Sequence, residues 1–91
     1  MDVKIKKSFA NKSLKLPIKV QKVIKQEIIN LKATSDLSAI KCTKLKGYSD
    51  RYRIRIGNYR MIFKVESKSQ IFLTAIAQRK EIYNKLFELI F

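Results

Sequence analysis

Two segments of the chain carry apolar side chains at alternate positions. Apolar residues occupy every second position of residues 52–56 and again of residues 59–63, and a Gly-Asn pair separates the two runs. Period-two alternation predicts half-buried strands, and Gly-Asn between two such runs is a strong signal for a two-residue hairpin turn. The pattern therefore predicts a β-hairpin with one apolar face and one basic face.

A two-residue turn also fixes the register of this hairpin. It places Arg55 directly opposite Arg60, with Arg53 on the same basic face. Like charges directly opposite each other destabilise a strand pair, so we interpret the basic face as an anion site, best suited to phosphate. A solvated face that only keeps the protein soluble is the alternative. The apolar pairs in this register are Ile56 with Tyr59, Ile54 with Met61, and Tyr52 with Phe63.

Before the hairpin, the pattern predicts a short strand and two helices. Val3 and Ile5 alternate with lysines, as in a strand. Ser8 is a candidate N-cap for a helical segment that reaches Leu14, and Pro17 suits the first turn of a second helix. The second helix is amphipathic, because its apolar residues recur at helical spacing and its lysines take the other faces. Those apolar residues are Val20, Ile24, Ile28 and Leu31.

After the hairpin, the pattern predicts a strand and a terminal helix. Residues 71–77 are apolar at nearly every position, as in an inner strand of the sheet that is covered on both faces. A helix begins within residues 79–83, and its apolar side chains form two neighbouring rows. Part of this wide apolar stripe packs on the core. The rest could cover an edge of the sheet, pair with another copy of the chain or bind a partner. The rows are Ile82, Leu86 and Ile90, and Tyr83, Phe87 and Phe91.

The composition indicates that residues 1–91 form one strongly basic domain. Hydrophobic residues make up 46% of the chain, enough for one core without disulfides or metal. The 21 Lys and Arg outnumber the 7 Asp and Glu, so the formal net charge is +14. That excess attracts nucleic acid, an acidic membrane surface or an acidic protein. The lysines of the second helix either bind the phosphates of a nucleic acid or only form a solvent-exposed helix face. The second role is the more common one for such lysines.

The residue inventory restricts the chemistry. The chain has no histidine and a single cysteine, Cys42, which excludes an internal disulfide and a multi-cysteine zinc site. Its acids are scattered, which disfavours a two-metal nuclease, and no cofactor-binding motif is present. We therefore expect neither metal nor cofactor. The sequence shows no signal peptide and no membrane span, so we expect a cytoplasmic protein.

Metal-free cleavage of a phosphodiester needs a 2′-hydroxyl held in line, charge neutralisation on the phosphate, and groups that move protons. Arginines supply the first two, but they stay protonated and are poor bases. The candidates for proton transfer are Tyr83 and a lysine whose pKa is lowered by cationic neighbours. Tyr83 could also stack on an unpaired base, or simply belong to the apolar stripe.

Three stretches of the chain together resemble the RelE/ParE superfamily of type II toxin-antitoxin toxins, and more closely its RelE-like mRNA interferase branch. They are residues 45–48, 52–63 and 79–83, and the order of the predicted elements extends the similarity over nearly the whole chain. The resemblance implies an α+β fold, in which an N-terminal strand and a helical hairpin pack on a twisted, mostly antiparallel sheet with a C-terminal helix.

The resemblance also implies an activity. RelE-like toxins inhibit translation by cleaving mRNA in the ribosomal decoding site, with the 2′-hydroxyl of the substrate as nucleophile and without metal. Members often carry a histidine where this chain has Gln78, which leaves the general acid and base open. The catalytic positions implied for this chain are Arg53, Arg55, Arg60, Arg79 and Tyr83.

The implied partners are mRNA, the 70S ribosome with its rRNA, and an acidic cognate antitoxin that neutralises the basic face. Two relatives of the same fold remain as alternatives: a ParE-like DNA gyrase poison, and a catalytically silent protein that only binds RNA or antitoxin. We expect RNA contacts at Lys22, Lys25, Lys44, Lys46 and Gln78. We expect antitoxin contacts at Ile82, Leu86, Phe87 and Ile90.

Overall fold

A computed structural model describes the backbone of residues 1–84 and the side chains of residues 1–81. A strand, two α-helices, a short 3₁₀ helix and a two-residue strand make up the first half of the chain, and three strands and a helix follow. The elements are β1 (Asp2–Ile5), α1 (Lys7–Ser13), α2 (Ile18–Ala33), a short 3₁₀ helix (Leu37–Ala39), β2 (Thr43–Lys44), β3 (Arg51–Ile56), β4 (Tyr59–Ser67), β5 (Gln70–Gln78) and α3 (Arg79–Asn84).

The described strands form one five-stranded sheet in the order β1-β5-β4-β3-β2. β1 pairs with β5 in parallel, and the other neighbours are antiparallel. This mixed α+β architecture confirms the predicted fold class. None of the described helices is long and apolar enough to cross a membrane.

The predicted hairpin is β3 and β4, and its register is confirmed at every pair, including Arg55 opposite Arg60. Gly57 has a φ of 56°, whereas Asn58 does not have a positive φ. A positive φ at the first turn position alone is the pattern of a type II′ turn, whose twist matches that of the strands. The turn therefore depends on glycine at position 57.

The main core lies between one face of the sheet and the helices. Phe9 of α1 and Ile24 and Leu31 of α2 pack against Met61 and Phe63 of the sheet, and all are at most 4% exposed. The predicted apolar face of α2 is thereby confirmed, since Val20 and Ile28 also pack on this core. The opposite face of the sheet carries a smaller cluster, formed by Leu45, Ile62, Ala75 and Ala77 with Tyr48 against it.

One local prediction about the first helix is wrong. Ser8 does not cap α1, because the helix already begins at Lys7 and its N-cap is Lys6, without a side-chain bond. The reason is the short connection from β1: the backbone N–H of Lys6 still donates to the carbonyl of Leu73 at 2.9 Å. The chain therefore turns directly from strand pairing into the helix.

The other predicted elements agree with the structure. Pro17 is the N-cap of α2, one position before the first helical residue. β5 is an inner strand that is buried on both faces from Leu73 to Ala77. α3 begins at Arg79, inside the predicted range. The two apolar rows of the terminal helix lie outside the described side chains.

Candidate functional site

The candidate site lies at the end of the hairpin that carries the turn. It is next to the part of β3 that does not pair with β2. β2 pairs with β3 only at Arg53 and Tyr52, so within the described chain the rest of β3 up to Ile56 extends beyond it. A cavity of about 570 Å³ opens here. The described residues that line it belong to α2, to β2 and the residues before it, to the hairpin of β3 and β4, and to α3: Glu27, Lys41, Thr43, Arg53, Ile54, Arg55, Gly57, Arg60 and Arg79.

Arg60 is held tightly in the wall of this cavity. It is 5% exposed, and its Nη1 donates to the carbonyl oxygens of Gly57 and Tyr59, both at 2.9 Å. Its guanidinium is therefore folded back over the turn of its own hairpin. A group fixed in this way loses little conformational freedom when it contacts a ligand.

Arg79 reaches the cavity through a backbone contact to the same turn. It is the first residue of α3, and its N–H donates to the carbonyl of Asn58 at 2.8 Å. Gln78 precedes it at the end of β5, exposed and opposite Tyr59. The end of β5 and the hairpin turn are thus joined, which brings an arginine distant in sequence to the hairpin arginines.

The lining is strongly cationic. Four arginines and Lys41 contribute positive charge, and Glu27 is the only carboxylate among the lining residues that the structure describes. Each guanidinium presents a planar set of N–H donors that matches the oxygens of a phosphate group. The arrangement is therefore suited to binding a phosphodiester. Among residues 1–84, no group of three or more His, Cys, Asp and Glu side chains could hold a metal ion.

The structure brings four of the predicted catalytic residues to the cavity, whereas none of the five predicted RNA contacts lines it. Lys22 and Lys25 line a different, mainly apolar groove of about 510 Å³, which is formed chiefly by residues of α1 and α2. Lys44 lies with its Nζ 6.0 Å from the ring centroid of Tyr52, and Lys46 is exposed just after β2. Tyr83 lies on α3, but its side chain is outside the described part.

Tyr52 itself stacks on Phe63, with ring centroids 5.5 Å apart, on the core side of the hairpin. The predicted antitoxin contacts lie outside the described side chains: Ile82, Leu86, Phe87 and Ile90.

Five lining residues were not among the predicted site residues, and Glu27 is the acidic one among them. It is half-buried on α2, three residues after Ile24 and four before Leu31, and both of these are buried. Residues at these spacings share one face of a helix. An acid on the core-facing side of a lysine-rich helix was the available signal.

Cys42 is half-buried next to this region, and burial raises the pKa of its thiol. Because the thiolate is the reactive form, the raised pKa lowers its reactivity at neutral pH. The cysteine is thus unsuited to nucleophilic chemistry.

Comparison with known proteins places the chain in a family. No family model matches it. The chain is 35% identical over 86 residues to Toxin RelE3 of Methanocaldococcus jannaschii, covering 92% of this chain and 97% of the relative. Among solved structures it resembles a RelB-RelE antitoxin-toxin complex from Methanococcus jannaschii, with a TM-score of 0.76 and 31% identity over 89% of this chain and 95% of the other.

An archaeal RelE-RelB complex from Pyrococcus horikoshii OT3 gives a TM-score of 0.69 and 26% identity, covering 86% of this chain and 93% of the other. These similarities extend over nearly the full length of each chain. They agree with the branch that the sequence motifs predicted, and the chain belongs to the RelE toxin family.

Proposed function

We propose that this protein is a ribosome-dependent endoribonuclease that cleaves mRNA in the decoding site and so inhibits translation. The supporting observation is the convergence of Arg53, Arg55, Arg60 and Arg79 on one cavity. A surface that served only solubility has no need to gather cations, because like charges repel one another when they are brought together. A bound phosphodiester relieves this repulsion.

In the proposed mechanism, Arg55 and Arg60 hold the scissile phosphate. Negative charge builds up on the non-bridging oxygens as the 2′-oxygen attacks, and a guanidinium fixed beforehand stabilises that charge without reorganising. Arg60, held by two carbonyls of the turn, meets this requirement. The contact strengthens from ground state to transition state, so it raises the rate and not only the affinity.

Arg53 and Arg79 take a supporting role in the same proposal. Arg53 is half-buried on β3, and Arg79 is exposed at the start of α3, so the two approach the cavity from different elements. They orient the RNA and add positive charge around the phosphate. Tyr83, four residues after Arg79 on α3, stacks on the cleaved nucleotide or donates a proton to it.

We further propose that an acidic antitoxin binds and neutralises the basic face. The solved relatives named above are RelB-RelE complexes, in which the toxin is bound to its antitoxin. The net charge of +14 favours an acidic partner. The lysines outside the cavity, including Lys44 and Lys46, remain available to contact rRNA phosphates.

Mapping of mRNA 5′ ends after induction of the protein tests the activity. We expect discrete cleavages inside translated codons, and no cleavage of the same mRNA when its start codon is removed. Attack by the 2′-hydroxyl leaves a 2′,3′-cyclic phosphate or a 3′-phosphate, detectable by mass spectrometry of the fragments. A 2′-deoxy nucleotide at the cleaved position should abolish the reaction.

Two results would overturn the proposal. Intact mRNA in growth-arrested cells, together with inhibited DNA supercoiling, would assign the toxin a gyrase-directed activity. Fragments that carry a 3′-hydroxyl and a 5′-phosphate would rule out attack by the 2′-oxygen.

A further inference from the structure

An ion pair connects the helix that carries two of the proposed site residues to the first helix of the chain. α3 contains Arg79, which lines the cavity described above, and Tyr83. Between these two positions, Oε2 of Glu81 lies 3.1 Å from Nζ of Lys12. Lys12 belongs to α1 and is 69 positions away in sequence. The pair therefore joins two elements that the chain itself does not hold together.

α3 depends on contacts with other elements for its orientation. The structure describes six residues of this helix, which make less than two turns, and so short a helix is only marginally stable on its own. One contact is made at its first residue, where the N–H of Arg79 donates to the carbonyl of Asn58 at 2.8 Å. A contact at one end leaves the helix free to turn about that point. The bond from Lys12 to Glu81 adds a second point of attachment.

Helix geometry determines which side of α3 this second attachment draws toward α1. Successive residues are rotated by about 100°, so Glu81 lies about 200° around the helix from Arg79, and position 83 lies only about 40° from it. A bond that holds Glu81 toward α1 therefore directs positions 79 and 83 away from α1. Arg79 lines the cavity, and no residue of α1 does. The ion pair thus favours the rotation of α3 that presents Arg79 to the cavity.

Lys12 is a firm point of attachment because α1 is fixed to the sheet. The N–H of Lys6 donates to the carbonyl of Leu73 in β5 at 2.9 Å, immediately before the helix begins. Phe9 is 2% exposed in the core, and Oγ of Ser13 donates to its carbonyl at 2.8 Å. α1 cannot move without exposing Phe9, which opposes any displacement. The ion pair therefore restricts α3 and not α1.

We propose that Lys12 and Glu81 are positioning residues of the reaction, a proposal that rests on the proposed endoribonuclease function. Neither side chain contacts RNA in this role. The pair holds α3 in the rotation that brings Arg79 to the phosphate and Tyr83 to the cleaved nucleotide. Without the pair, α3 spends more time in other rotations, and a smaller fraction of the bound toxin has the geometry that the reaction requires. The rate of cleavage then falls while binding to the ribosome is retained.

The exposure of the pair determines the size of this effect. Its side chains are 42% and 43% exposed, and an ion pair in such a position changes a population by about two- to fivefold. Loss of the pair should slow the reaction by the same factor. Removal of a group that contacts the reacting phosphate has a larger effect, on the order of 10²-fold or more. The size of the loss therefore distinguishes a positioning residue from a catalytic residue.

The test is single-turnover cleavage of mRNA over a range of ribosome concentrations, comparing the wild-type protein with Lys12→Met and Glu81→Gln. Each substitution keeps the approximate size of the side chain and removes one charge. The two changes in net charge have opposite signs, so a general electrostatic effect on RNA would move the two rates in opposite directions. We expect both variants to lower the saturating rate constant by about two- to fivefold, with the half-saturating ribosome concentration unchanged.

Three further variants complete the design. The double variant Lys12→Met with Glu81→Gln should be no slower than the slower single variant, because the same interaction is lost only once. The charge swap, Lys12→Glu with Glu81→Lys, should recover most of the wild-type rate. Lys15→Met removes the charge of an exposed lysine two residues after α1, and it should cleave at the wild-type rate. Circular dichroism and thermal unfolding report on the folding of each variant independently of activity.

The outcomes separate this proposal from the proposed function. Wild-type rates in both single variants, rates that move in opposite directions, or a charge swap as slow as the single variants would overturn the positioning role. A higher half-saturating concentration for Lys12→Met with an unchanged saturating rate would also overturn it, because Lys12 would then be an RNA contact. Each of these results leaves the endoribonuclease function standing. Failure of the wild-type protein to cleave ribosome-bound mRNA would instead overturn the proposed function, and the positioning role with it.

Discussion

Arg55 and Arg60 lie directly opposite each other across the hairpin, yet their side chains have very different surroundings. Arg55 is exposed, whereas Arg60 is 5% exposed and donates to the carbonyls of Gly57 and Tyr59. The expected conflict between facing like charges is thereby reduced, because one guanidinium turns toward solvent and the other toward backbone oxygens. The same arrangement gives Arg60 a structural role in addition to the proposed contact with phosphate.

We predict that alanine substitutions at these two positions differ in their effect on stability. Arg60→Ala leaves two carbonyls without their donor and should lower the free energy of unfolding by about 1–3 kcal/mol. Arg55→Ala removes an exposed side chain and should change it by less than about 0.5 kcal/mol. Urea denaturation followed by circular dichroism measures both, and equal stabilities would contradict the structural role of Arg60.

Both substitutions should reduce mRNA cleavage, since both arginines are proposed to contact the scissile phosphate. For Arg60→Ala, the assay must be run at a temperature where the variant is fully folded. Lys68→Ala is the matched control. Lys68 is exposed in the connection between β4 and β5, which lies at the end of β4 away from the cavity. A loss of cleavage in the control would point to net charge and not to the site.

A second prediction concerns the salt dependence of RNA binding. Binding of a short fluorescein-labelled single-stranded RNA should weaken steeply as salt rises, because lysines and arginines displace counterions from phosphates. Each phosphate contact contributes about −0.7 to the slope of log K against log salt for single strands. Arg55→Gln should therefore make the slope shallower by about that amount, and Lys68→Gln should leave it unchanged. Fluorescence anisotropy at several salt concentrations gives the slopes.

Local patterns in the sequence were sufficient to predict the hairpin. Alternation of apolar residues and a Gly-Asn turn fix a register without reference to the rest of the chain, and every pair of β3 and β4 follows it. The prediction that Ser8 is the N-cap of α1 was wrong, because the position of the N-cap depends on where the preceding strand ends. Here the pairing of Lys6 with Leu73 decided where α1 begins.

The site was only partly predictable for a related reason. The arginines of the hairpin stand out by their alternation, and Arg79 by its place at the end of a buried strand. Glu27 was missed because its approach to the cavity depends on the packing of α2 against the sheet, a contact between elements far apart in sequence. The burial of Arg60 was equally hidden, since the pattern placed it on the same basic face as Arg55.

The turn itself supports a third prediction. Gly57 has a φ of 56°, a conformation that L-residues with a Cβ adopt only with strain, although a Cβ built there meets no atom within 4 Å. Gly57→Ala should therefore destabilise the protein through the backbone alone, by about 1 kcal/mol or more. The carbonyl of Gly57 accepts from Arg60, so cleavage should fall as well. Thermal unfolding and the cleavage assay measure the two effects, and an unchanged melting temperature would contradict the argument.

A fourth prediction concerns Cys42. Burial raises the pKa of its thiol above that of a solvent-exposed cysteine, so the neutral thiol persists in the folded protein to higher pH than in the unfolded chain. Iodoacetamide should therefore react slowly with the folded protein near neutral pH, and faster in urea at the same pH. The folded rate should climb as pH rises through the raised pKa. Mass spectrometry of the alkylated fraction over time gives the rates, and equal rates in buffer and urea would refute the effect of burial.

The ion pair between Lys12 and Glu81 leads to the last prediction. Nζ of Lys12 lies 3.1 Å from Oε2 of Glu81, so the pair joins α1 to the first turn of α3. Glu81 follows Arg79 by two residues. Its side chains are 42% and 43% exposed, so the pair should stabilise the protein by less than about 1 kcal/mol. A double-mutant cycle of Lys12→Met and Glu81→Gln should give a coupling free energy of this size in dilute buffer. At about 1 M salt the coupling should vanish, because screening then acts over about 3 Å. A coupling that persists in salt would mean that the contact is held by more than its charges, and would make it a firmer anchor for Arg79 than its exposure indicates.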